Sequence, residues 1–155
     1  MTTNINLFDL WNIIKKEINN NSISQNKFCH PWEIRWARIW LNIWNEQNWD
    51  IFNKTFNRLV LILSTYGKNS DIVLVIPITK KEQKEFFGFC LYQDSYKYFK
   101  FPKNYVIYTQ IRAISKKRLL KEVGAISRQD FNLIQIWLFS AITKKGRSLG
   151  SSLHH

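Results

Sequence analysis

The sequence predicts a mainly β domain with α-helices at its two ends, of the small barrel or sandwich kind. Three observations predict it. Five short runs rich in β-branched and aromatic residues recur between Leu59 and Ile114, with turn residues between them. An apolar repeat at helical spacing precedes those runs, and a second, capped one follows them. The length, 155 residues, suits one domain and leaves little room for a second core.

Taken in order, Leu7, Leu10, Trp11, Ile14 and Ile18 follow the pattern of an amphipathic helix, with Lys15, Lys16 and Glu17 on its other side. The Asn- and Ser-rich segment 19–26 reads as a linker, so residues 1–26 form a helical extension and the main domain spans 30–143. Between Trp32 and Trp49 the local pattern is ambiguous. Trp32, Trp36, Trp40 and Trp44 recur every fourth residue behind Pro31, as in an aromatic helix that would lie in a membrane interface. Leu59–Leu63 and Ile72–Ile78 read as buried strands separated by a turn with Gly67 and Asn69. Phe86–Tyr92, Tyr96–Phe101 and Tyr105–Ile114 supply three more strand candidates. Arg118–Val123 reads as helical, and so does Ser127–Phe139, capped by Ser127 and Asp130 ahead of Phe131, Ile134, Trp137 and Leu138. The Gly, Ser and His tail 144–155 carries no pattern and is expected to be disordered.

Composition narrows the function classes. The longest apolar runs fall far short of the roughly 18 residues of a spanning helix. The first fifteen residues hold Asp9 and no basic leader, which predicts a cytoplasmic chain. Cys29 and Cys90 form no C-x-x-C pair, and two of three histidines are terminal, so neither a metal site nor a cofactor is expected. The formal charge of +12 favours a polyanionic partner, with nucleic acid first. Arg112, Lys116, Lys117, Arg118, Lys121 and Arg128 face Glu122 alone within 110–128. The same cluster also fits a plain solvated surface, and charge by itself does not choose.

Several blocks then occur in a fixed order: Glu33-Ile34-Arg35-Trp36-Ala37; Asn45-Glu46-Gln47; Arg58-x-Val60-Leu61-Ile62-Leu63; Ile76-Pro77-Ile78-Thr79; and Thr109-Gln110-Ile111-Arg112 followed by Lys116-Lys117-Arg118-Leu119. In sequence and spacing they resemble the MazF/PemK family of toxin endoribonucleases over about 30–137. The resemblance implies an SH3-like barrel, the plasmid maintenance toxin fold, with an N-terminal helical extension and a C-terminal helix. It implies a homodimer that cleaves single-stranded RNA without a metal. It also implies a cognate antitoxin that covers the active site, with operator DNA bound only as the toxin–antitoxin complex. Arg58 falls where the family has its essential arginine, and Thr79 where it has a threonine at the end of the next strand.

The chemistry agrees with those residue types. When a 2′-hydroxyl attacks the neighbouring phosphate, the site must accept one proton, deliver another and stabilise extra negative charge on phosphorus. Arg58 offers a fixed guanidinium fork for that charge and is a poor base. Thr79 can donate to the same phosphate, and Glu46 either accepts the 2′-hydroxyl proton or orients Arg58. Asn45, Gln47, Lys80, Gln110 and Arg112 are the substrate-binding candidates. Dependence on the 2′-hydroxyl would spare DNA. Each has a bland alternative, Arg58 as a surface ion-pair partner and Thr79 as a strand residue.

The departures from the family pattern are concentrated at tryptophan. Trp32, Trp40, Trp44 and Trp49 stand where the family has glycine, whereas Trp11 and Trp36 stand where it accepts tryptophan. Glycine is only 5 of 155 residues, and 16 Lys, 15 Asn and 20 Ile come from A/T-dominated codons. An indole cannot reproduce the positive φ and close approach of a glycine loop. These observations suggest UGA codons that the source reads as glycine. Should the tryptophans be native, a degenerate binding module without catalysis becomes the alternative. Leu59 replaces a family proline beside Arg58.

Overall fold

In a computed structural model describing residues 7–20, 28–39, 57–84 and 87–143, the apolar runs pair into seven antiparallel strands with a helix at either end. In α1 (Leu7–Asn20) the helical repeat buries Trp11 and Ile18. The strands are β1 (Glu33–Arg38), β2 (Asn57–Ser64), β3 (Ile72–Thr79), β4 (Gly88–Tyr92), β5 (Lys103–Ile107), β6 (Arg112–Ser115) and β7 (Leu119–Ala125). Their order in the sheet is β4-β5-β3-β2-β1-β7, and β6 also pairs with β3. The chain then enters α2 (Arg128–Thr143). The mainly β class read from the sequence is the observed one.

Four local expectations are corrected. The aromatic-helix reading fails at β1, where Ile34 and Ala37 are buried and Trp36 is exposed. A spacing of four is also a multiple of the strand period of two, and pairing with β2 and β7 decides between them. Trp40, Trp44 and Trp49 lie outside the described residues, as does most of the 19–26 linker. Residues Tyr96–Phe101 form turns, not a strand. Successive backbone bonds from Tyr96 to Tyr92 and from Phe99 to Tyr96 coil the chain so that both rings enter the core. The Tyr105–Ile114 run is split by a 3-10 turn at Tyr108–Gln110. β3 pairs Ile78 with Val106 but Val75 with Arg112, so the break faces Ile76 and Pro77, where proline lacks a ladder donor. Finally, Arg118–Val123 belongs largely to β7 and not to a helix, because Leu119, Glu122 and Gly124 pair with β1.

Both faces of the β2–β3 pair are buried. Ile34, Leu61, Ile76 and Val106 meet Phe131, Ile134 and Leu138 of α2 on one face. Ala37, Ile39, Val60, Ile62, Val73, Val75, Ile114 and Leu119 cluster on the other. The α2 cap is as expected, with the Asp130 N–H donating to Ser127 Oγ at 3.1 Å. Tyr96 is built into it: its hydroxyl accepts the Ser127 N–H at 3.0 Å and donates to the Asp130 carboxylate. Burial, and then the Asp130 carboxylate, push the Tyr96 phenol up.

One backbone feature bears on the tryptophan substitutions. Trp32 has φ 66°, a left-handed conformation exceptional for a bulky side chain. Its N–H donates to Ile62 O at 2.9 Å and its carbonyl accepts the Ile126 N–H at 3.0 Å, so the conformation is pinned from two sides.

Candidate functional site

Strand register assembles the site. Residues opposite one another in an antiparallel pair share a face. Ala37 lies across from Leu119 on one side and from Arg58 on the other. The β2–β3 ladder pairs Val60 with Pro77 and Leu61 with Ile76, and extending it by one pleat brings Arg58 level with Thr79. Thr79 lies across from Tyr105, and Tyr105 from Cys90. A single row, Leu119–Ala37–Arg58–Thr79–Tyr105–Cys90, therefore crosses the sheet on the face opposite α2. Neighbouring strands are about 4.8 Å apart; Arg58 and Thr79 stand on adjacent strands, and Tyr105 lies about 10 Å from Arg58.

The two candidate catalytic residues are both half-buried at strand ends, reachable from outside. Thr79 Oγ1 accepts the Lys81 N–H at 3.2 Å, which orients the hydroxyl and leaves its own proton to donate outward. Lys80 is exposed, with its ammonium 4.7 Å from the centre of the Phe101 ring. Arg112 shares the face of Arg58 and Thr79 but sits across from Val75, two pleats from Thr79 and about 13 Å along the strand. Gln110 belongs to the turn beside Pro77, and its Oε1 is buried with no hydrogen-bond partner among the described residues. Register thus brings Arg58 and Thr79 together and holds Arg112 apart from them. Glu46, Asn45 and Gln47 lie outside the described residues.

The basic cluster is only partly available to a ligand. Lys116 is buried and donates to Gly67 O at 3.2 Å. The Arg118 guanidinium lies 5.3 Å from the Trp11 ring centre, and burial draws its pKa down. Lys117 and Lys121 are exposed. Two of the six cations therefore fasten the 67–71 turn and α1 to the sheet.

A second charged group was hidden within a resemblance block. Glu33 and Arg35 are both buried, joined by Arg35 Nε donating to Glu33 Oε2 at 3.0 Å. Arg35 also donates to the carbonyls of Phe28 at 3.1 Å and Leu120 at 3.4 Å, and it approaches Glu122 at 4.0 Å. His30 Nδ1 is 2.8 Å from Glu33 Oε1. Burial alone would raise the Glu33 carboxyl; hydrogen bonds from His30 and Arg35 and the Arg35 charge outweigh it and hold the carboxyl below its ordinary value. Their i, i+2 spacing in a strand was the available signal, since it puts both side chains on one face.

Among the described residues no group of three His, Cys, Asp or Glu side chains is placed to hold a metal, and no helix is long and apolar enough to cross a membrane. A family model described as "PemK-like, MazF-like toxin of type II toxin-antitoxin system" matches residues 37–141. No curated protein matches the chain. Among solved structures, an endoribonuclease in complex with its cognate antitoxin, from a mycobacterial species, is similar with a TM-score of 0.55 at 12% identity, over 76% of this chain and 98% of that one. The Mycobacterium tuberculosis toxin MazF-mt6 is similar with a TM-score of 0.53 at 15% identity, over 71% and 95%.

Proposed function

Because the chain belongs to the PemK-like, MazF-like toxins of type II toxin–antitoxin systems, we propose that it is an endoribonuclease that cuts single-stranded RNA without a metal ion. The observation that carries the reading is the strand register, which sets Arg58 level with Thr79 at half-buried strand ends. Arg58 donates to the oxygens of the phosphorane that forms when the 2′-oxygen attacks phosphorus. The O–H of Thr79 steadies the same phosphate. The 2′-hydroxyl proton passes to a base, for which Glu46 is the sequence candidate. The departing 5′-oxygen takes up a proton from the Arg58 guanidinium, which solvent restores, leaving a 2′,3′-cyclic phosphate and a 5′-hydroxyl. Asn45, Gln47, Lys80, Gln110 and Arg112 hold the strand.

The chain acts in the cytoplasm as a homodimer, restrained by an antitoxin. The antitoxin bound in the mycobacterial neighbour supports this partner. Operator DNA is contacted only through the complex. The test is cleavage of single-stranded RNA in EDTA by the unaltered chain and by Arg58→Ala. Cutting by the first and not the second is expected. Salt-sensitive binding by both, with cutting by neither, would replace the enzyme with a nucleic-acid-binding module.

A further inference from the structure

A second group of cations stands at the far end of the β3–β6 pair. Seven positions back along β3 from Thr79, about 23 Å away, Ile72 pairs with Ser115 of β6. There the 65–71 turn meets the 3-10 turn Lys116–Arg118. One residue locks the two together: Lys116 Nζ donates to Gly67 O at 3.2 Å, and the Lys116 N–H donates to Asp71 O at 2.6 Å. The N-terminal helix α1 docks on the same 3-10 turn, with the Trp11 ring against Arg118. That helix lies outside the residues 37–141 that the family model matches.

This junction turns charge and one aromatic ring outward. Lys68 of the first turn, Lys117 of the second, and Lys15 and Lys16 of α1 are all exposed. None of these four ammonium groups is paired with a carboxylate among the described residues. Within the two turns Asp71 is the only acidic residue. Tyr66 is 57% exposed and sits at φ 50°, a left-handed conformation disfavoured for a bulky residue. Behind it Gly67 O accepts both Lys116 Nζ and the Ser70 N–H, so the turn is fastened while the ring faces solvent. An open ring among unpaired cations is what single-stranded nucleic acid engages, the ring by stacking a base and the cations by meeting phosphates. Arg112, about 13 Å from Thr79 along the same strand pair, stands part-way between the junction and the cut.

We propose that this junction is a second RNA-binding surface, which holds the strand several nucleotides away from the bond that is cut. Tyr66 stacks a base there, and Lys15, Lys16, Lys68 and Lys117 contact phosphates. The inference rests on the endoribonuclease reading above for the place of the cut. An acidic segment of a protein partner would also meet the lysines, but the exposed ring beside them and the Arg112 step toward Thr79 favour RNA.

The test uses the full chain in EDTA and two single-stranded RNAs with the same cut site, a short one covering only the cut and a long one extended on both sides. Lys68→Gln with Lys117→Gln, and separately Lys15→Gln with Lys16→Gln, should each raise KM for the long RNA about fivefold. KM for the short RNA and both kcat values should stay unchanged. Each lysine on a phosphate adds about 0.7 to the salt dependence of single-strand binding, so each pair should lower that slope by up to about 1.4. Tyr66→Asn removes the ring and tolerates the left-handed turn, and should raise KM for the long RNA about fivefold as well. Lys97→Gln with Lys100→Gln, exposed in the Tyr96–Phe101 turns, is the matched loss of charge and should change nothing. An equal rise in that control, or an equal effect on both RNAs, would overturn the proposal. So would an unchanged KM for the long RNA, which would leave the junction to an acidic protein partner. No cutting by the unaltered chain would remove the endoribonuclease reading alone, because binding of the long RNA, read by fluorescence anisotropy, still decides the surface. Weaker binding in the two lysine pairs and not in the control supports it, and unchanged binding overturns it.

Discussion

Both faces of the β2–β3 pair are aliphatic in the middle, yet they are completed in different ways. On the α2 face the borders are closed by the chain itself: the helix lies across it, and its polar element, the Tyr96–Ser127–Asp130 cap, is satisfied internally. On the opposite face two arginines stand one pleat apart, Arg35 across from Val60 and Arg58 across from Ala37. Arg35 turns its fork toward Glu33, the Phe28 and Leu120 carbonyls and Glu122, all on the β1–β7 side. Arg58 lies at a strand end in a row that runs on to Thr79, Tyr105 and Cys90. The same guanidinium acts as an internal fastening where carboxylates and carbonyls enclose it. At a half-buried strand end level with Thr79, the proposed role for it is to meet the phosphate of the RNA.

The largest expected effect breaks the pair of arginines apart. Arg58→Ala should lower kcat/KM for RNA by at least about a hundredfold, the loss of one donor to developing charge, a larger effect than on the urea midpoint. A comparable fall in the urea midpoint would show Arg58 to be structural.

Arg35→Ala should do the reverse. It strands the buried Glu33 carboxylate and two carbonyls, and breaking such a pair costs about 3 kcal/mol, read as a lower urea midpoint with kcat kept under conditions where the variant stays folded. Glu33 adds a pH signature. Its carboxyl is held below the ordinary value, so its contribution is present above about pH 4.3, the unfolded value, and is lost as pH falls through the folded value. Glu33→Gln should therefore flatten the decline of stability in that acidic window. A decline as steep as in the unaltered chain would place the acid sensitivity elsewhere.

The α2 face offers a smaller effect of one kind only. Tyr96→Phe leaves the Ser127 N–H without its acceptor and Asp130 without its donor, and should cost about 1–2 kcal/mol by thermal unfolding. RNA cleavage should persist, since the row lies on the other side of the sheet. Loss of cleavage at full stability would show the two faces to be coupled.

How much of this was legible in the sequence follows from which signals are local. The Leu7–Ile18 repeat and the Ser127 cap are written in spacing and chemistry within one turn, and both appear where expected. β2 and β3 were readable because a doubly buried strand is an unbroken apolar run. β7 was misread because Arg118, Lys121 and Glu122 look helical until their partner β1 is known, and β1 was ambiguous because a spacing of four fits two periods. The adjacency of Arg58 and Thr79, twenty-one positions apart, came from family resemblance and emerges from the structure only through the β2–β3 register. Tyr105 and Cys90 had no local signal at all, since they join the row by pairings across three strands.

The smallest expected effect is the most discriminating for the sequence itself. Trp32 closes the α2 face, its ring 6.0 Å from Phe131 in an edge contact, while its backbone is held at φ 66° by bonds to Ile62 and Ile126. Trp32→Gly would forfeit the ring contact, worth about 0.5–1.5 kcal/mol, and add about 0.5–1 kcal/mol of backbone entropy. It would also release the left-handed strain, about 1–3 kcal/mol. These terms offset, so the urea midpoint should move by no more than the equivalent of about 1 kcal/mol. Trp11→Gly, at a buried position of α1 with no such release, should cost at least about 3 kcal/mol. Near-neutrality at 32 beside a large loss at 11 would mark position 32 as one the fold built for glycine. The codons supply the independent arm: UGA at 32, 40, 44 and 49 with UGG at 11 and 36 would make glycine the native residue at all four. UGG throughout, with a loss at 32 as large as at 11, would instead mean that the fold tolerates the strain in order to keep the indole against Phe131.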